Sequence, residues 1–184
     1  HQQVELFEAF AVDAGLDQHR DQVVAGNETT RNLLAHGAIA LATYPAERAR
    51  LAADAALLPR AVEEMLRWGS PIASFLRTAT RDTTVRDTAI AAGDRLLMLY
   101  TSANRDEAVF GADAEAFVAT RDASGHVAFG FGEHFCLGAQ LARMEARLVF
   151  ARLLERRPGW RLAGPIERLP SVFMRGVAHL PLLF

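Results

Sequence analysis

The sequence predicts a mainly α-helical domain with a minor β part, and two observations predict this class. Three long segments carry apolar residues at helical spacing and are rich in good helix formers. By contrast, residues 77–90 are rich in Thr, with Val and Ile among them, which is typical of short strands. The chain has 184 residues, which is enough for one domain with a sizeable core.

The helical segments have boundaries that can be read from the sequence. The first helix is predicted over about 17–43 and the second over about 46–68, with Pro45 between them as a residue that opens a helix. A third, amphipathic helix is predicted over 137–157, and Pro158 stops it. All three are expected to pack in one domain that extends over the whole chain.

The β structure is expected in two places. A small β region is predicted over about 72–100, and a tail of strands and turns over 160–184, where prolines and glycines interrupt the apolar residues. Residues 104–138 hold many Asp and Gly and few periodic apolar positions, so they are expected to form mainly an ordered loop.

Charge and composition exclude several classes of function. The formal net charge of −2 results from 20 basic and 22 acidic residues, so the sequence predicts no nucleic-acid partner. No apolar run reaches the length of a membrane span, so no membrane segment is visible. Cys136 is the single cysteine, which excludes an intramolecular disulfide and favours a reducing, cytoplasmic location.

The environment of this cysteine is the most informative part of the sequence. Residues 129–138 read FGFGEHFCLG, and glycines such as Gly130 and Gly138 permit tight turns and close approach to a flat ligand. Cys136 directly precedes a long helix, whose free N–H groups would stabilise a thiolate. Phe129 and Phe135 are expected to shield the sulfur from water. The alternative is a structural cysteine in a glycine-rich turn.

This stretch resembles the haem loop of the cytochrome P-450 family, whose pattern is Phe-Gly-x-Gly-x-(His or Arg)-x-Cys-x-Gly. Every fixed position is matched. The resemblance implies the C-terminal portion of the cytochrome P-450 fold, from the distal haem helix onward, and haem b (iron protoporphyrin IX) as cofactor. It implies that Cys136 is the axial ligand of the iron and that His134 hydrogen-bonds a propionate. His126 is expected near the propionates too, with a surface histidine as the alternative.

A second resemblance lies at Glu64 and Arg67, which share one helix face. Taken alone, such a pair is usually a solvated ion pair. It also looks like the Glu-x-x-Arg motif of the family. That motif implies a buried network with a residue of the later loop, and a structural role in holding the core around the cysteine pocket.

A third resemblance lies at residues 25–30, AGNETT, in the first predicted helix. A glycine and threonines inside a helix predict a local distortion, where ligands often approach, and the alternative is an exposed helix face. By resemblance to the distal helix of the family, Gly26 leaves room for dioxygen and Thr29 hydrogen-bonds the bound oxygen. Glu28 then relays protons.

Other positions are assigned by the same resemblance. Arg77 resembles the strand arginine that pairs with a propionate, with an ordinary surface arginine as the alternative. The substrate pocket is expected to include four residues from three separate segments, namely Ala25, Ser74, Phe75 and Phe173.

The implied function is a haem-dependent monooxygenase, which inserts one oxygen atom from O2 into a small apolar substrate. The sequence of residues 25–32, AGNETTRN, resembles that of actinobacterial members of the family that oxidise steroids, terpenoids or fatty acyl chains. Electrons would come from a ferredoxin and its reductase. Arg143 and Arg147 lie four apart on the last helix and are predicted to face this partner, with ordinary solubility charges as the alternative.

Two other functions remain open. The chain begins at His1 and has no counterpart of the region that precedes the distal helix, so it is expected to be the C-terminal half of a domain and not active by itself. It could be a truncated, non-catalytic fragment that keeps the scaffold without productive haem. A peroxide-using relative is the lesser alternative, and the Glu28–Thr29 pair favours the oxygen-activating type.

Overall fold

The computed structural model describes residues 7–9 and 18–184, with side chains from Ala25 onward. Residue 17, where the first helix was expected to begin, lies outside the described residues. Eight helical segments occur in the described part of the chain. They are α1 (Gln18–Thr43), α2 (Pro45–Ala53), a 3-10 turn (Ala55–Leu57), α3 (Leu58–Gly69), α4 (Tyr100–Ala103), α5 (Glu107–Phe110), a second 3-10 turn (Gly132–His134) and α6 (Ala139–Arg156).

The single helix expected over 46–68 is divided in the structure. The chain leaves α2 at Asp54, which is extended (φ −138°) and whose carboxylate accepts the N–H of Ala56 at 2.9 Å. Pro59 then lies in the first turn of α3, where its missing N–H needs no partner. An aspartate that caps a new turn and a proline that suits a helix start together explain the break.

The strands form four small antiparallel units. The largest is a three-stranded sheet in the order β1 (Phe7–Ala9), β2 (Ser74–Ala79) and β5 (Arg95–Leu99), in which Phe75 pairs with Met98 and Arg77 with Leu96. The expected β region and β tail are therefore present. The strands are β1 (Phe7–Ala9), β2 (Ser74–Ala79), β3 (Thr83–Val85), β4 (Thr88–Ile90), β5 (Arg95–Leu99), β6 (Arg161–Leu162), β7 (Glu167–Arg168), β8 (Val177–His179) and β9 (Leu182–Leu183).

The core lies where α1, α3 and α6 pack against one another. Leu41, Met65 and Phe150, one from each helix, are fully buried. A Cβ at Gly37 of α1 would lie 2.4 Å from the ring of Phe150, so the absent side chain is what lets α1 and α6 approach so closely. This packing places the start of α6, and with it the cysteine loop, against α3. Among the described helices, none is long and apolar enough to cross a membrane.

Candidate functional site

The cysteine loop is closed by its own backbone. The N–H of Cys136 donates to the carbonyl of Phe129 at 2.9 Å, and the carbonyl of Cys136 accepts the N–H of Ala139 at the start of α6. Gly130 and Gly132 have φ of +69° and +67°, a left-handed conformation that a side chain disfavours. The glycines of the loop are thus required by its shape.

The surroundings of Cys136 fit a flat apolar ligand. The cysteine is half-buried, and no described atom lies within 4 Å of where a Cβ would stand on Gly132 or Gly138. The expected shielding by Phe135 is wrong for this chain, because Phe135 is 50% exposed. A large apolar cofactor lying against this side of the loop would cover that ring. His134 is exposed in the 3-10 turn of the same loop.

A second group of side chains meets at Glu63 on α3. Arg143 of α6 forms a bidentate ion pair with its carboxylate, with Nε at 2.7 Å from Oε1 and Nη2 at 2.9 Å from Oε2. Nε2 of His126 lies 3.1 Å from Oε2, and Nδ1 of His126 accepts the N–H of Ala128. Both ring nitrogens of His126 therefore have partners within the chain. Its expected position near the propionates stays a prediction.

The charge of Glu63 is stabilised by these contacts. Burial alone would raise the pKa of the Glu63 carboxyl, but hydrogen bonds from His126 and Arg143 outweigh it and lower the pKa to about 2. Arg143 is only 20% exposed and its guanidinium lies 4.6 Å from the ring centre of Phe129. Arg143 thus has structural contacts with Glu63 and Phe129, and its role in facing a redox partner stays a prediction. Arg147 is exposed.

The neighbouring Glu64 joins a different network. Glu64 and Arg67 are completely buried, and their contacts are 2.6 and 2.8 Å long. Arg67 also donates to the carbonyl of Asn104, directly after α4, and to the carbonyls of Ala114 and Ala116 in the loop after α5. The structure therefore places this pair in a buried network with the later loop, as expected, and not on a solvated face.

The predicted distal residues lie on one continuous helix. No interruption of α1 marks the distortion that was expected at Gly26. Instead, the hydroxyl of Thr29 donates to the carbonyl of Ala25 at 2.6 Å, one turn back. Gly26 is open, with no described atom within 4 Å of where its Cβ would stand. Glu28 is partly exposed and pairs with Arg31 at 2.7 Å.

Asn32 was missed at the sequence level. Its amide nitrogen donates to the Glu28 carbonyl at 2.8 Å and contacts the sulfur of Met174 at 3.1 Å. Its amide oxygen accepts the N–H of Val177 at 2.9 Å. An asparagine inside a helix is unfavourable unless its amide has such partners, and this was the only sequence signal. Asn32 thereby fixes the C-terminal tail to the predicted distal helix.

The expected pocket residues come together only in part. The rings of Phe75 and Phe173 meet edge to face at 5.1 Å, and the guanidinium of Arg77 lies 5.2 Å from the Phe75 ring centre. Ser74 is buried and its hydroxyl donates to the carbonyl of Val172, and its place in the pocket stays a prediction. Ala25 is exposed on α1.

The chain and its fold have clear counterparts among known proteins. The family model for cytochrome P-450 matches residues 13–156. A steroid C26-monooxygenase of Mycolicibacterium smegmatis is 45% identical over 164 residues, which cover 88% of this chain and 41% of that protein. A methyl-branched lipid omega-hydroxylase of Mycobacterium tuberculosis is 47% identical over 161 residues, covering 86% and 37%.

A solved structure shows the same arrangement of elements. Cytochrome P-450-153 of Novosphingobium aromaticivorans superposes with a TM-score of 0.82 at 39% identity, covering 88% of this chain and 41% of that one. The chain therefore spans about two fifths of the length of the relatives it matches.

Proposed function

The chain belongs to the cytochrome P-450 family, and from this premise we propose that the protein is a haem-dependent monooxygenase that inserts one atom of O2 into a small apolar substrate. The observation that carries the proposal is the closed loop that presents Cys136 at the start of α6. When bound, haem supplies the site where dioxygen is held and reduced. The protein supplies the axial sulfur, the proton path and the substrate pocket.

The loop residues are the proposed cofactor contacts. Cys136 would hold the haem iron through its sulfur, and the N–H groups at the start of α6 would stabilise the thiolate. His134 and Arg77 are proposed to hold the propionates. Arg77 suits this role because a guanidinium has five N–H groups and one of them donates to the Leu76 carbonyl, so others can donate to a propionate. Phe129 packs against the loop.

Proton delivery is assigned to Thr29 and Glu28. The Thr29 hydroxyl donates to the Ala25 carbonyl, and its oxygen keeps lone pairs that can accept a further hydrogen bond. Glu28, partly exposed one residue away, connects this position to water. The open space at Gly26 supports the placement of dioxygen beside Thr29.

The proposed substrates are steroids or lipids with methyl branches. This class comes from the two relatives described above, whose names state those substrates. The aromatic pair Phe75 and Phe173 offers an apolar surface for such a molecule. We propose a ferredoxin and its reductase as electron donors, with Arg147 on the contact face, and a cytoplasmic location.

An absorption spectrum tests the proposal. The reduced, carbon-monoxide-bound protein at its natural length should give the red-shifted band of a thiolate-ligated haem, and Cys136→His should abolish that band while haem is retained. Turnover with a steroid and with a methyl-branched lipid then identifies the substrate class. A wild-type protein that binds haem without this band, or that binds none, would favour the non-catalytic fragment.

A further inference from the structure

Glu63 joins the two ends of the cysteine loop, and we propose that it is a positioning residue that fixes the geometry of the Cys136 sulfur. The proposal rests on the proposed function, because it concerns the same sulfur. It adds a residue that the sequence motifs do not include, since Glu64 and Arg67 contact a different part of the chain.

The two ends of the loop meet on one carboxylate. His126 precedes the loop and Arg143 follows it on α6, and both bind Glu63 of α3. Oε2 of Glu63 has both of them as partners, at 3.1 and 2.9 Å. A change at Glu63 would therefore release both ends of the loop at once, whereas a change at either partner releases one.

The contacts continue from Glu63 to the cysteine itself. The guanidinium of Arg143 lies over the ring of Phe129, and the carbonyl of Phe129 accepts the N–H of Cys136. On the other side, the ring of His126 holds the N–H of Ala128, the residue before Phe129. Phe129 is thus held from two directions, and it sets the position of the Cys136 backbone.

The hydrogen-bond roles within this group are fixed by the backbone. Because Nδ1 of His126 accepts the N–H of Ala128, the proton of the neutral ring is on Nε2 and points to Glu63. The His126 side chain is 4% exposed, and that of Glu63 is 27% exposed. Without Glu63, the Nε2–H of His126 and the Arg143 guanidinium would both lose their partner in a site that is mostly buried, where an unpaired polar group is costly.

Glu63 and Glu64 have separate roles because adjacent helix residues point in directions about 100° apart. Glu64 binds Arg67 and the backbone N–H of Val118, and so holds the loop between α5 and the cysteine region. Glu63 holds the cysteine loop. The two glutamates therefore act on different parts of the chain.

The test uses the haem-loaded protein at its natural length, with Glu63→Gln and a matched control, Glu155→Gln. Glu155 forms an exposed ion pair with Arg152 on the same helix that carries Arg143. The midpoint potential of the haem iron, the thiolate band of the reduced carbonyl complex and the haem affinity are measured. We expect Glu63→Gln to shift the midpoint potential and to lower the intensity of the thiolate band. It should also weaken haem binding about 10- to 100-fold, as for other groups that orient a metal ligand.

Glu155→Gln should leave all three values unchanged. If Glu63→Gln does not fold, Arg143→Lys is decisive, because it keeps the charge but cannot make the bidentate contact. It should shift the potential in the same direction. An unchanged potential and band in the folded variant would overturn the proposal. A wild-type protein without a thiolate band would instead refute the proposed function, so the two failures are distinguishable.

Discussion

Thr29 is the residue whose local geometry gives the sharpest functional prediction. Its hydroxyl is tied to the Ala25 carbonyl, and it lies beside the open position at Gly26. Thr29→Ala should keep haem and substrate binding but lower the product formed per electron, with peroxide released instead. Proton-relay groups typically contribute about 10²- to 10⁴-fold in rate.

Thr29→Ser is the matched control, because it keeps the hydroxyl and its acceptor. It should retain most of the coupling between electron use and product. Product and peroxide are measured together against electrons supplied. Equal coupling in wild type and Thr29→Ala would remove Thr29 from the proton path and leave its bond to Ala25 as a purely helical contact.

Two arginines, Arg67 and Arg143, show that the type of residue alone does not determine its role. Arg67 and Arg143 are both helix arginines close to a glutamate in the folded chain, but Arg67 is completely buried with three backbone carbonyls as partners. Arg143 is partly exposed and packs on an aromatic ring. The structural role of Arg67 was expected from its motif, whereas only the packing reveals the contacts of Arg143 with Glu63 and Phe129.

At the scale of the element, α1 offers a comparison between two of its own glycines. A Cβ at Gly37 would lie 2.4 Å from the Phe150 ring and 2.8 Å from the Met65 sulfur. Gly37→Ala should therefore lower the free energy of unfolding by about 1–3 kcal/mol through overpacking. Gly26→Ala meets no described atom within 4 Å and should be neutral or stabilise the helix by up to about 1 kcal/mol.

Urea unfolding, followed by circular dichroism, measures both changes. The effect on activity should be the reverse of the effect on stability. Gly26→Ala should impair activity, because its methyl group intrudes on the space proposed for dioxygen, whereas Gly37 lies in the core between α1, α3 and α6. Similar losses of stability at both positions would mean that α1 does not pack as described.

At the scale of the whole molecule, α6 and the residues before it carry an uncovered apolar stripe. Leu137, Leu141, Met144 and Leu148 recur at helical spacing and are between 47% and 93% exposed. A stripe of this kind is an interaction surface or an aggregation risk. The chain spans about two fifths of its relatives, so the surface available to cover a haem is correspondingly small.

The isolated 184-residue chain is therefore expected to self-associate and to bind haem weakly, without coupled turnover. A haem that is open to water cannot support controlled oxygen activation. Size-exclusion chromatography with light scattering, iron content and product per electron are the measurements. A monomer with stoichiometric haem and coupled hydroxylation would show that this chain is a minimal member of the family.

The sequence by itself determined the family, the mainly α-helical class with a minor β part, and the position of the cysteine loop. These features are local: the loop is a contiguous motif, and a helix or strand is decided mainly by the spacing of nearby apolar residues. Even the break between α2 and α3 has a local cause in Asp54 and Pro59, although the helical spacing across the break concealed it.

Only the tertiary structure decided which side chains share a site. Glu63 binds partners 63 and 80 positions away, and Asn32 binds the tail 142 and 145 positions away. Those contacts exist because α1, α3 and α6 pack at particular distances and rotations, which the linear order of residues does not contain. For the same reason the sequence did not reveal that Arg143 and His126 share Glu63, since only packing decides which groups come within hydrogen-bond reach.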